Sequence, residues 1–327
     1  YIQSTFESLP PNFFFILAQF GSFCYMKTPK FEIKRLIAIG DGRTKQMYEF
    51  LAPIVGFEYK HYKYKTFEQA IKKAKAEIDA GYPPVLGALD MYYLPYFPKL
   101  YHCDHIPFHY VLMVGYDDYA QCVYLHDCGR EAVQTLSYDE LRQAWDCSYP
   151  GLSKPNTLCT IRMNTTKSKY QITKEALAKK SEMFLNPSVS FVGRKGFEKF
   201  IRDFPNMINE LDKDDYNKIL TNMVTFFGTV PTVPNALRRI NEPDQVSFFG
   251  GFDKMSRVLN DMGNEYGEDS WLEASRRLDE GAAIISETTN VIVAYLTRKD
   301  VNTDKLNCLF TKIMEIMTDV YIILKKH

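Results

Sequence analysis

The sequence predicts an α+β protein: an antiparallel-sheet domain over residues 1–165, followed by a mostly α-helical domain over 166–327. Two observations carry this reading. Up to about Asn164 helix-like and strand-like patterns alternate, whereas after about Lys167 helical periodicities dominate. No self-similar period of about 20–50 residues recurs, which argues against a solenoid.

The first clear element is "TFEQAIKKAKAEIDAG" (66–81), with a Thr66 cap, Glu68 in the first turn and Gly81 as a stop. Its apolar residues at 67, 70, 71, 74 and 78 share one face of a helix. "PPVLGALDM" follows as a buried strand. "HYVLMVGYDD" (109–118) is nearly continuous in apolar residues and is expected to be covered on both faces. After a turn at Asp117–Gln121, shaped by Asp117 and Asp118, "CVYLHDC" (122–128) forms its neighbour. "AVQTLSYDELRQAW" ends in a short helix, because Ser137 and Glu140 have capping-box spacing, and "NTLCTIRMN" is a last strand. The second half offers helices in "ITKEALAKKSEMFL", "GFEKFIRDFPNMINEL", "SWLEASRRLDEGAAIISETTNVIVAYL" and "DKLNCLFTKIMEIMTDVYIILKK", interrupted by "FGTVPTVPNA" and "FFGGFDK".

Forty basic side chains balance forty acidic ones, so no net field favours nucleic acid or an anionic membrane. No apolar run reaches the ~18 residues that a membrane helix requires, and Phe13–Ala18 is too short for a secretory signal. The seven cysteines are odd in number and irregularly spaced, which fits reduced thiols in a cytoplasmic protein. Trp145 and Trp271 are expected in the core. "GDGRTK" at Gly40 lacks a phosphate-loop pattern.

"YHCDHIPFHY" concentrates His102, Cys103, Asp104, His105 and His109, all competent metal ligands in kind, with His126 and Cys128 as the nearest second pair. Pro107 disfavours the helix that would put His105 and His109 on one face, so no metal is expected. His109 instead opens a strand and Asp127 ends the next. If those strands are antiparallel, both residues reach one end of the sheet, as a general base and its orienting carboxylate require. Cys128, one residue on, should point to the opposite face. Cys24 reads as a buried small hydrophobe, and Cys103 as too constrained by the proline loop to pair with His109. The tyrosines of "DMYYLPYF" either line an aromatic or acyl cleft or cover a sheet edge.

The tyrosine-rich loop (Tyr92, Tyr93, Leu94, Pro95, Tyr96), then His109, Tyr110, Gly115, Tyr116 and Asp117, then a strand ending in Asp, resemble the butirosin biosynthesis protein H N-terminal domain family. That family has a papain-like fold similar to the double-glycine leader peptidases, and the second half is similar to the helical domain that often follows it. The resemblance implies acyl transfer: a papain-like acyltransferase, or an amide or thioester hydrolase, working through Cys, His and Asp in secondary-metabolite biosynthesis. It implies no cofactor. The implied partners are a small-molecule substrate and an acyl carrier protein, and a homo-oligomer stays open.

The family's nucleophilic cysteine would be followed by a polar pair, which Gln3, Ser4 and Thr5 fit, and Tyr1 stands where the cysteine is expected. Gln3 would donate to the oxyanion. A phenol ionises near pH 10, a free thiol near about 8.5, so Tyr1 is a poor substitute. Either the nucleophile has been replaced, leaving a binding protein that keeps the cleft, or the cysteine lies upstream. Because the chain begins at Tyr1 rather than Met, a missing N-terminal residue is weak evidence.

Overall fold

A computed structural model describes residues 5–10, 12–29, 33–39, 44–128, 130–149, 153–164, 167–227, 251–298 and 302–325. The chain divides into two compact units, one of residues 43–166 and one of residues 1–42 with 167–327. The class is α+β: an antiparallel sheet precedes a mostly helical stretch. The sequence reading put residues 1–42 with the sheet. In the structure they group with the later helices, through contacts that join residues far apart in the chain.

In the unit of residues 43–166, six strands form one sheet in the order β3-β8-β4-β5-β6-β7. They are β3 (Phe57–Lys63), β4 (Val85–Leu89), β5 (His109–Asp117), β6 (Cys122–His126), β7 (Gln134–Ser137) and β8 (Thr157–Met163), and every pairing is antiparallel. The helix Phe67–Asp79 starts where Thr66 Oγ1 accepts from the Gln69 N–H at 3.3 Å. Its apolar stripe, Phe67, Ala70, Ile71 and Ala74, packs into a core with Leu86, Val111, Met113, Val123 and Leu125. The helix Tyr138–Trp145 begins with the full Ser137/Glu140 capping box and sends Leu141 and Trp145 into the same core. There the Trp145 indole donates to the Thr157 carbonyl at 2.7 Å, which satisfies a polar group that burial would otherwise penalise.

One sequence expectation changes, two elements are new, and two segments cannot be compared. β5 is not sealed on both faces, since Val111 and Met113 are buried while Leu112 and Val114 are only half-buried. β3 and the helix Thr44–Val55 had no counterpart in the sequence reading. The "GDGR" segment and nearly all of "FGTVPTVPNA" lie outside the described residues.

In the other unit, β1 (Phe23–Lys27) and β2 (Arg35–Ile39) form an antiparallel pair, and Tyr25 donates its backbone N–H to the Phe191 carbonyl at 2.8 Å. Phe23 stacks on Phe197 of the helix Gly193–Glu210 with centroids 4.1 Å apart. Gly21 has φ +73, and a Cβ there would run into the Tyr321 ring, whose hydroxyl donates to the Phe20 carbonyl at 2.9 Å. Helices Phe13–Gln19, Lys169–Leu185, Lys213–Phe227, Phe252–Tyr266, Asp269–Arg298 and Thr303–Lys325 belong to the same unit, and Trp271 is buried there. Among the described residues, no helix is long and apolar enough to cross a membrane.

Candidate active site

β4 ends at Leu89 beside His109, the first residue of β5, with a register irregularity between Gly87 and Leu89. Gly87 has φ +149, and a Cβ there would come within 2.4 Å of the Tyr110 ring, so β4 can approach β5 this closely only as glycine. Between the two strands the chain runs through the tyrosine-rich loop. Asp90 accepts from the Tyr92 N–H at 3.1 Å, and that bond starts the short 3-10 helix Met91–Tyr93. Leu94, Phe97 and Leu100 then sink into the core, with Tyr93 and Tyr96 packed against it. The loop therefore covers the end of the sheet.

β5 and β6 run antiparallel, with Leu112 opposite His126, so Asp127 emerges just past β6 at the His109 end. The two side chains meet. His109 Nε2 lies 2.7 Å from Asp127 Oδ1 and 2.8 Å from Oδ2. The imidazole is 12% exposed and the carboxylate 0%, so the bond forms out of water, where it is stronger. The Phe97 ring stands edge-to-face with His109, centroids 5.5 Å apart at 85°. The Arg130 guanidinium lies 4.6 Å from the Phe97 ring centroid and donates to the Tyr96 carbonyl at 2.8 Å. Burial, and then the Asp127 charge, push the Tyr96 phenol well above its usual range, so it stays protonated.

Cys128 is where sequence reasoning fails. Strand alternation predicts it on the face opposite Asp127, yet its sulfur, a His109 ring nitrogen and an Asp127 oxygen all lie within 4.8 Å of one another. The strand ends at His126, so alternation no longer governs the next two residues, and the Arg130 N–H turns back to the Asp127 carbonyl at 3.2 Å. Cys128 is exposed as a residue, but its sulfur side is shielded. That burial and the adjacent carboxylate push the thiol up to about 12. Phe97 and Arg130 join the site as well, and the sequence signal for Arg130 is its place just after Asp127 in "DCGR".

The remaining sequence candidates lie elsewhere. His105 Nδ1 bonds Asp90 Oδ2 at 2.6 Å and its ring stacks on Tyr92, centroids 4.1 Å apart. His102 stacks on Tyr101 at 4.1 Å, and Cys103 is exposed. Asp117 accepts from the Tyr119 and Ala120 N–H groups at 2.8 and 2.9 Å, which shapes the turn. Cys24 is half-buried on β1, not fully buried. Tyr1 and Gln3 lie outside the described residues.

A family model described as "Butirosin biosynthesis protein H, N-terminal" matches residues 3–128, a span that ends at the site just described. No curated protein matches the chain. The tyrosine loop, the histidine opening β5 and the aspartate after β6 all fall within the match, so residues 3–128 are similar to the butirosin biosynthesis protein H N-terminal family.

Proposed function

We propose that this protein is a papain-like acyltransferase, or an amide or thioester hydrolase, acting on a small-molecule or carrier-bound acyl substrate. The family's name, that of a butirosin biosynthesis protein, points to secondary-metabolite biosynthesis as the setting. His109 is the general base and Asp127 its orienting partner. The observation that carries the reading is the grip of a wholly buried carboxylate on His109 Nε2, which leaves Nδ1 as the nitrogen that exchanges a proton with a nucleophile. In such chemistry the thiol gives its proton to Nδ1 and the sulfur adds to the acyl carbonyl. The leaving group departs with that proton, and an amine or water then takes the acyl group from sulfur.

The family resemblance puts the nucleophile in the N-terminal segment, at or ahead of Tyr1, and gives Gln3 the role of oxyanion donor. The second reading, a binding protein that keeps the cleft without the chemistry, is favoured by Tyr1 itself, which occupies the expected cysteine position. Hydrolysis of short acyl thioesters, and transfer to amines, separates the two. His109→Ala should lower turnover by roughly 10²–10⁴-fold with an unchanged circular dichroism spectrum. Unchanged turnover in that variant removes His109 from the mechanism. A full-length protein that binds acyl ligands and never turns them over is the binding protein.

A further inference from the structure

We propose that His109, Asp127 and Cys128 together hold a thiophilic divalent cation of the zinc class. The binding argument stands on geometry alone, and its consequence, that the ion silences the His109–Asp127 pair, rests on the reading above. Three different ligand types converge: an imidazole nitrogen, a carboxylate oxygen and a sulfur, mutually within 4.8 Å. Zinc bonds such atoms at about 2.0–2.3 Å in near-tetrahedral array, which sets neighbouring ligands roughly 3.2–3.8 Å apart. The imidazole and carboxylate, now 2.7 Å apart with only a proton between them, must part slightly to admit a metal. The sulfur must close in, and Cys128 is exposed rather than locked in the core.

Charge supports the same occupant. One carboxylate and one thiolate balance a dication, so a neutral unit forms in a place where an unpaired charge is costly. The Nε2 proton moves to Nδ1, the thiol proton leaves to solvent, and no redox partner is required. Sulfur and imidazole select zinc-like ions over magnesium or calcium. Three protein ligands leave a fourth coordination position for water or another ligand. With Nε2 and a carboxylate oxygen of Asp127 committed to the ion, His109 loses the orientation and charge partner that a general base needs.

Cobalt(II) is the probe, because a thiolate ligand gives it a near-ultraviolet charge-transfer band. Titration of the metal-stripped, reduced protein should raise that band to one equivalent, and zinc should abolish it. Cys128→Ser should lose the band, and Asp127→Asn should weaken binding at least as much as the roughly 10–100-fold that lost outer-shell partners cost. Cys103→Ser, a control at another exposed thiol, should retain the band. No band in the wild-type protein, or the same band in Cys128→Ser, overturns the site. A measurement free of variants accompanies it: zinc should protect Cys128 from alkylation in the wild-type protein, read by peptide mass spectrometry, and unprotected Cys128 overturns the proposal. If no acyl turnover is found in any form, the acyl reading fails while the cobalt result still decides the ion site.

Discussion

At the scale of single residues, the contact between His109 and Asp127 makes Cys128 a reporter. Burial, and after it the Asp127 carboxylate, raises the thiol to about 12, so little thiolate exists at neutral pH. Asp127→Asn removes that negative charge and lowers the thiol pKa, which means more thiolate at any given pH. With metal chelated, alkylation of Cys128 at pH 8 should therefore be faster in Asp127→Asn than in the wild-type protein. A slower or equal rate would show that the carboxylate does not set the thiol's ionisation. The approach of His109 to Asp127 was legible because both sit at strand ends counted from one turn. The position of Cys128 was not, because the rule of alternating faces applies only while the chain is a strand.

At the scale of elements, Glu77 ties the helix Phe67–Asp79 to β8. It is 3% exposed, pairs with Lys73 one turn away and accepts from Arg162 at 2.9 Å. Burial alone would raise its pKa, but the hydrogen bonds from Lys73 and Arg162 outweigh it and hold the carboxyl below its ordinary 4.5. A carboxyl depressed in the folded state contributes stability above the unfolded pKa and loses it as pH falls through the lower folded value. Glu77→Gln should cost about 1–2 kcal/mol at pH 7, and the gap to wild type should close below pH 4, measured by urea denaturation. A gap independent of pH would assign the cost to packing. Elements with strong caps and stripes were readable in advance: Thr66, Ser137 and the apolar positions of Phe67–Asp79. β3 was not, because "FEYKHYK" mixes tyrosines with charges on a half-exposed edge, where burial imposes no clean period.

At the scale of the whole molecule, the seven cysteines are all thiols, with Cys122, Cys147 and Cys159 buried. Burial is the main force that pushes Cys147 up to about 11 and Cys159 up to about 12. Under denaturing conditions a thiol reagent should count seven, and natively those three should react last. Early reaction of Cys159 would contradict the packing of β8 between β3 and β4. The grouping of residues 1–42 with 167–327 could not be read from the chain, since pairs such as Tyr25 with Phe191 carry no local pattern. That grouping has a consequence during synthesis. A ribosome adding about 5–20 residues per second releases the β1–β2 ribbon well before the helices that receive Phe23 have been made. The sheet unit is complete in the meantime, so the nascent ribbon waits with its aromatic face bare, a natural client for a chaperone until the last helices leave the exit tunnel.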